Sequence, residues 1–248
     1  MKMYTKFAQV YDQLTQDIPY VKWADYLQSA FLKFNANPNL VLELGCGTGS
    51  MAVELAKRGY DMIALDLSAD MLSVAYEKAH RAKTNILFLN QDMREFELYG
   101  TVDAVICLLD SLNYMTSFND IEKVFRLVNN YLNPGGMFIF DLNSPYKLSS
   151  ILGNETFCEV GEDVSWIWKN TYDSKRKCAT FDLTFFIRRE DGLYERYDEI
   201  HKERAFSTEE IVKALDQADL TLLGEFAELG FKAPCQEEER IFYIAQKR

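Results

Sequence analysis

Across the first 142 residues, short and continuously apolar runs alternate with segments whose apolar positions recur every three to four residues. Tyr20, Trp23, Ala24, Leu27 and Phe31 share one face of a helix spanning 20–34, and Pro38 brings that segment to an end. Leu40–Leu44 reads as a buried strand. Glycines follow at once, and a helix from Met51 to Arg58 closes at Gly59. Further strands are expected over Tyr60–Leu65, Ile86–Leu89, Val102–Leu109 and Met137–Leu142, with helices over Ala69–Ala82 and Phe118–Leu132 between them. Ser68 is placed to cap the first of these helices, and Asn133-Pro134-Gly135-Gly136 breaks the second.

Strands that alternate with helices build a parallel sheet covered on both faces, and continuously apolar strands suit burial on both sides. The expected fold is therefore α/β: a doubly wound seven-stranded sheet, mostly parallel with an antiparallel edge strand, whose ligands sit at the carboxyl ends of the strands. From about Glu159 to Phe206 the period shortens to two. Trp166, Trp168 and Tyr172 share one face of a strand, and Phe181, Leu183, Phe185 and Ile187 share one face of the next. Glu190-Asp191-Gly192 is a turn, after which Tyr194–Ala205 alternates again. These read as antiparallel hairpins inserted into the larger unit, because the α/β pattern then resumes. Ser207-Thr208-Glu209-Glu210 is a capping box that opens a helix, and Leu220–Phe226 and Arg240–Ala245 are expected as an antiparallel pair at one edge of the main sheet. The expected organisation is a Rossmann-like unit of residues 1–145 and 206–248 with N-terminal helices, and an inserted antiparallel β subdomain over 146–205.

Composition narrows the partners. Over 248 residues, 27 Lys and Arg stand against 38 Asp and Glu, a net charge of −11 that repels phosphate backbones, so neither nucleic acid nor an anionic membrane is expected as a partner. The start, MKMYTKFAQVYDQL, has no long apolar run, and no stretch approaches 18 uncharged apolar residues, so neither a secretory signal nor a membrane span is expected. The five cysteines form no CxxC pair and only two histidines occur, which argues against a metal cage or disulfide framework and for a cytoplasmic, reduced protein.

The candidate chemistry begins at Glu43-Leu44-Gly45-Cys46-Gly47-Thr48-Gly49-Ser50, between the first strand and the helix after it. Glycine there allows close backbone approach to a ligand, and a helix N-terminus favours a negative group such as a carboxylate. Asp66 ends the second strand about 20 residues later, where a carboxylate accepts hydrogen bonds from ribose hydroxyls. A nicotinamide dinucleotide wants G-x-G-x-x-G, but Ser50 occupies the last glycine position. Glu43 gives no help to a diphosphate and suits an amino-acid ammonium. The pattern favours a nucleoside that carries an amino acid, which is S-adenosylmethionine, over a bare strand-to-helix turn.

At this point the chain resembles the class I S-adenosylmethionine-dependent methyltransferases. The matching elements run in order from about Leu40 to Leu142: LELGCGTG, ALDLSADML, NQDMREFEL, DAVICLLDSLNYM and YLNPGGMFIFDLN. Within the class it is similar to the small-molecule branch that includes sugar N,N-dimethyltransferases and glycine-type N-methyltransferases, which share a Tyr-Asp segment, here Val10-Tyr11-Asp12, and the run Asp92-Met93-Arg94. The resemblance implies S-adenosylmethionine as cofactor and S-adenosylhomocysteine as product. It implies that Gly45, Cys46 and Gly47 approach the methionine part, with Glu43 before them. Asp66 would hold the ribose, Leu67 and Met71 would flank the adenine, and Gln91, Asp92 and Met93 would meet its edge. Leu108 and Leu109 would line the methionine moiety, and Tyr11 and Trp23 would close over the cofactor. Met71 and Trp23 serve equally as core, and Asp92 as a turn cap.

The cofactor carries the reactivity, so the protein must align the acceptor and exclude water, with no metal required. Substrate contacts are expected from Asp110, Asn113, Tyr114, Asn143, Trp166, Trp168 and Arg204, with His201 as the candidate base; Asp110 and Asn113 serve equally to satisfy loop backbone, and His201 as a structural residue. The aromatic face of the insert is a lid, a hairpin core or a dimer face, so the chain is expected as a monomer or homodimer. The leading function is methyl transfer to a nitrogen or oxygen of a small molecule. A methyltransferase of RNA or protein and a non-catalytic nucleoside-binding protein are the alternatives.

Overall fold

A computed structural model describes residues 7–15 and 17–248. Helices α1 (Phe7–Leu14) and α2 (Tyr20–Lys33) precede the sheet; the first six residues of the N-terminal stretch lie outside the described ones. The chain then alternates β1 (Leu40–Leu44), α3 (Ser50–Lys57), β2 (Asp61–Asp66), α4 (Ala69–Ala82), β3 (Ile86–Asn90) and β4 (Val102–Cys107). A 3-10 turn (Ser111–Tyr114), α5 (Phe118–Tyr131) and β5 (Leu132–Asn143) follow. After a π-helical turn (Lys147–Leu152) come β6 (Thr156–Val160), β7 (Val164–Asp173), β8 (Cys178–Arg188) and β9 (Tyr194–Arg204). The chain closes with α6 (Thr208–Gln217), β10 (Leu220–Ala227) and β11 (Arg240–Lys247).

The main sheet has seven strands in the order β10-β11-β5-β4-β1-β2-β3. β1 to β5 pair in parallel. β11 runs antiparallel to both β5 and β10, so the one reversed strand lies second from the edge, with β10 outside it. The strands are apolar on both faces because two layers cover them. α2, α3 and α4 bury Trp23, Leu27, Phe31, Met51 and Leu55 against one face, and α5 and α6 bury Val124, Phe125, Val128, Ile211 and Leu215 against the other. The capping box at Ser207 and Glu210 starts α6 as expected.

Several strand ends differ from the expectation by one or two residues, and β4 and β5 show a physical reason for theirs. β4 stops at Cys107, two residues before the expected Leu109, because Leu109 and Asp110 adopt left-handed backbone with φ of 55° and 54°. β5 starts at Leu132, five residues before the expected Met137, since Leu132 already pairs with Val102.

Residues between β5 and α6 build a separate antiparallel sheet, β6-β7-β8-β9. Its inner face carries Trp168 opposite Leu183, Trp166 opposite Phe185 and Phe181 opposite His201; its other face mixes Lys169, Thr171, Asp182 and Asp198 with the exposed Ile167 and Ile200. Asn113 ties the two sheets where the chain crosses between them. Its Nδ2 donates to the carbonyls of Asn143 (3.1 Å) and Arg204 (3.0 Å), and its Oδ1 accepts from the Asn143 N–H (2.9 Å).

Gly49 sits at the N-terminus of α3 with φ 71°, and a Cβ there would stand 2.9 Å from Ala75 Cβ and 3.2 Å from the Phe88 ring. Both the backbone and the space therefore require glycine. Gly49→Ala is expected to destabilise the fold by about 2–4 kcal/mol and lower Tm by roughly 5–12 °C, read by thermal unfolding.

Candidate active site

The glycine loop leaves β1 at its carboxyl end and is laced to the end of β2. The Cys46 N–H donates to the Leu65 carbonyl at 2.9 Å. Asp66 then takes two amides: Oδ2 accepts from Gly47 N–H and Oδ1 from Ser68 N–H, each at 2.8 Å. Burial raises the Asp66 pKa, and the Ser68, Gly47 and Leu67 amides oppose the rise. At Gly45, φ is 66°, and a Cβ would stand 2.9 Å from the Ser111 side chain and 3.1 Å from Met93 Cε. The loop and the turn after β4 thus approach too closely for any side chain at this position.

Beneath the loop, Glu43 is buried. Burial pushes its carboxyl up to about 8, Asp66 adds to the rise, and the Ala52 amide and Lys78 oppose it. Its Oε2 has no hydrogen-bond partner. Lys78 Nζ donates to Asp12 Oδ1 and Thr48 Oγ1, each at 2.9 Å, and Thr48 Oγ1 donates to Asp12 at 2.6 Å. This cluster fastens α1 to the glycine loop.

At the end of β3, the Arg94 guanidinium grips both oxygens of Asp92 and holds its carboxyl below the usual range, with the Arg94 amide adding 2.8 Å support. At the end of β5, the fully buried Asp141 accepts from the amides of Leu109 (2.7 Å) and Asp110 (3.0 Å) and from Arg240 Nη1. Arg240 Nη2 donates to Asp110 Oδ1 at 2.7 Å. Burial works against the Arg240 charge, but Asp141 and Asp110 together hold it on. Burial drives the Asp141 carboxyl up, with Arg240 opposing.

Facing these strand ends, β9 presents Glu199, His201 and Glu203 on one face by its period of two. Asn143 Nδ2 donates to Glu203 Oε2 at 2.9 Å, and burial with Asp110 nearby pushes the Glu203 carboxyl well up. Asn143 Oδ1 is buried without a partner. Tyr114 Oη lies 3.3 Å from His201 Nδ1, and His201 Nε2 lies 3.1 Å from Glu199 Oε2. Trp168 stands edge-on to Phe181 at 5.4 Å between ring centres, with Trp166 beside it at 6.5 Å.

Together these parts enclose a cavity of about 650 Å³. On the glycine-loop side its walls include Tyr11, Gly45, Gly47, Asp66, Leu67, Met71, Gln91, Asp92, Met93 and Leu109. On the insert side they include Asp110, Tyr114, Asn143, Trp166, Trp168 and His201. Six expected site residues stand back from the walls. Trp23 is core, against Phe242 and the Arg240 guanidinium. Glu43, Cys46 and Leu108 are buried behind the loop and strand ends, and Cys46 has its thiol pKa pushed up by burial. Asn113 is the inter-sheet brace, and Arg204 pairs with Glu210 and covers the Phe206 ring. Met71 is both buried core and wall. Trp166 and Trp168 meet the cavity, and Trp168 and Tyr172 both pack against the small core of Leu148, Leu152 and Ala179. The walls also hold Ser111, Lys147, Phe181, Phe185, Glu203 and Arg240, which were not among the expected site residues.

The methyltransferase domain family matches residues 41–136. "Putative methyltransferase YqeM" of Bacillus subtilis is 35% identical over 246 residues, spanning 99% of this chain and 97% of its own. The crystal structure of an S-adenosylmethionine-dependent methyltransferase from Clostridium acetobutylicum is 35% identical, covers 98% of both chains and superposes with a TM-score of 0.90. CalS10, an amino pentose methyltransferase of Micromonospora echinaspora, shares the fold at 19% identity, with a TM-score of 0.76 over 96% of this chain and 97% of its own.

Glu43 keeps its proton to higher pH when folded than the ordinary 4.5 of an exposed carboxyl. Its contribution to stability is therefore complete below that value and is lost as pH rises toward about 8. Urea unfolding of the ligand-free chain from pH 5 to 8 is expected to show a shallower decline for Glu43→Gln than for the native chain. Glu203 and Asp141, shifted the same way, leave a residual slope in the variant. Parallel curves would refute the assignment.

Proposed function

The chain belongs to the class I S-adenosylmethionine-dependent methyltransferases, and from that premise we propose that it methylates a nitrogen or oxygen atom of a small-molecule acceptor. The observation that carries this reading is the cavity itself. It is bounded on one side by the glycine loop and Asp66, and on the other by an aromatic wall, and its volume of about 650 Å³ is of the size that small-molecule sites take.

The residues present fit the cofactor. The loop at Gly45 has no room for a side chain yet opens onto the cavity, and Glu43 Oε2 beneath it is a buried acceptor without a donor. In this reading the amides of the glycine loop meet the amino-acid part, with the acid of Glu43 behind them favouring its ammonium. Asp66, already fixed by two amides, turns its remaining acceptor capacity to the ribose hydroxyls. Leu67 and Met71 flank the adenine. Asp92 and Gln91 meet its edge, with the Asp92 carboxylate held in place by Arg94. When bound, the cofactor supplies a methyl group on a sulfonium, ready for in-line displacement.

The chain's own work is alignment and exclusion of water. The segment 146–205 serves as the acceptor-binding subdomain. Trp166, Trp168 and Phe181 supply flat apolar contact, and Asn143 Oδ1 offers an acceptor that a hydroxyl or amine of the substrate can satisfy. Asp110 is anchored by Arg240 and Glu203 by Asn143, so the polar groups here are held in place before an acceptor arrives.

Two measurements test this. S-adenosylmethionine and S-adenosylhomocysteine are expected to raise Tm where NAD does not, and Asp66→Ala to weaken that binding on the order of 10- to 100-fold by calorimetry. Incubation with labelled-methyl S-adenosylmethionine and a whole-cell extract, fractionated afterwards into small molecules, RNA and protein, is expected to place label in the small-molecule fraction. Label confined to RNA or protein, or cofactor binding with no label transferred, would overturn the acceptor assignment.

A further inference from the structure

His201 is the single histidine on the cavity wall, yet neither of its ring nitrogens is placed to take a proton from an acceptor directly. Nδ1 faces Tyr114 Oη at 3.3 Å, Nε2 faces Glu199 Oε2 at 3.1 Å, and the side chain is only 2% exposed. The three groups form a chain that begins at the cavity and runs into the insert. Tyr114 comes from the turn after β4, on the main sheet's side, and the other two from β9.

We infer that Tyr114, His201 and Glu199 act as a proton relay, in which Tyr114 is the catalytic residue that meets the acceptor and His201 and Glu199 are positioning residues behind it. The tautomer follows from electrostatics. A carboxylate accepts only, so Nε2 carries the hydrogen that faces Glu199. Nδ1 then presents its lone pair to Tyr114, whose O–H donates to it. The edge-on contact of the two rings, 5.9 Å between centres at 88°, holds this arrangement. As the acceptor's N–H or O–H bond breaks, its proton joins the Tyr114 oxygen, while the Tyr114 proton passes to Nδ1. The bonding pair stays on the acceptor atom, where methyl transfer uses it. Tyr114 remains neutral throughout, and the imidazolium formed rests against the Glu199 carboxylate. Glu203, the other acid on this face of β9, is held by Asn143 and takes no part.

The inference rests on the reading of the protein as a methyltransferase whose acceptor loses a proton. Its first test needs no acceptor. With only two histidines in the chain, nitrogen-15 labelling of histidine gives two ring signals, and the exposed His80 on α4 serves as internal reference. His201 is expected as the Nε2–H tautomer at pH 8, with its Nδ1 shift altered in Tyr114→Phe. An Nδ1–H tautomer would overturn the relay. The second test uses labelled-methyl transfer to the extract. Glu199→Gln keeps an acceptor for Nε2–H and removes the charge, so a structural role survives it and a relay does not. Glu199→Gln and Tyr114→Phe are each expected to slow transfer about 10²-fold, the double variant no further than either alone, with cofactor affinity within about twofold of the native chain. Transfer by Glu199→Gln at the native rate would overturn the relay. A native chain that binds cofactor but labels nothing would count against the acceptor reading instead, and the tautomer would still decide the relay.

Discussion

The Asp141 carboxylate lies wholly buried at the end of β5, and three donors converge on it: the Leu109 and Asp110 amides and the Arg240 guanidinium. The end of a parallel strand leaves amides without partners, and a buried amide must find one. Here an acid on the neighbouring strand supplies it, which turns the chain sharply through two left-handed residues and stops β4. Arg240 answers the charge and heads β11, the reversed strand of the sheet. Apolar residues of similar size would often stabilise a core as well as a buried ion pair. What the carboxylate adds is direction, because it fixes where β4 ends, where Asp110 points and where β11 begins. The turn that carries Tyr114 and the brace Asn113 follows from that geometry.

Much of the fold can be read in the residues because its rules are local. β1 to β5 are buried on both faces, so each is a short apolar run, and the helices between them show their period plainly. The glycine loop and Asp66 are also close in sequence, and the pairing of Gly47 with Asp66 spans only one β-α-β unit. The remaining parts of the site are joined across long separations. The Arg240–Asp110 contact spans 130 residues and the Asn113–Arg204 contact 91, and no local pattern announces either. One signal was present in the composition of the strands: Asp141 interrupts MFIFDLN, and Arg240 opens RIFYIA. A charge inside or at the head of an otherwise apolar strand must have a buried partner. The early stop of β4 was hidden for the opposite reason, since Leu108 and Leu109 look like more strand.

In the insert, a period of two marks which residues share a face without saying which way that face looks. The sequence pattern therefore left the tryptophans open between lid, core and interface. Along β7 the surroundings change by residue: Trp166 lines the cavity, Trp168 lines it and also packs on the small core, and Tyr172 packs on that core alone. Burial of this face also sets its chemistry. Glu203 and His201 are pressed between aromatic rings and the strand ends of the other sheet, where each needs a hydrogen-bond partner and has one.

Asn113 links both chain crossings, holding Asn143 at the end of β5 and Arg204 at the end of β9 with three hydrogen bonds. One side chain thus answers for both crossings at once. The exit from the main sheet and the return from the smaller one share a single amide as their meeting point, so a change at Asn113 reaches the strand ends of both sheets together.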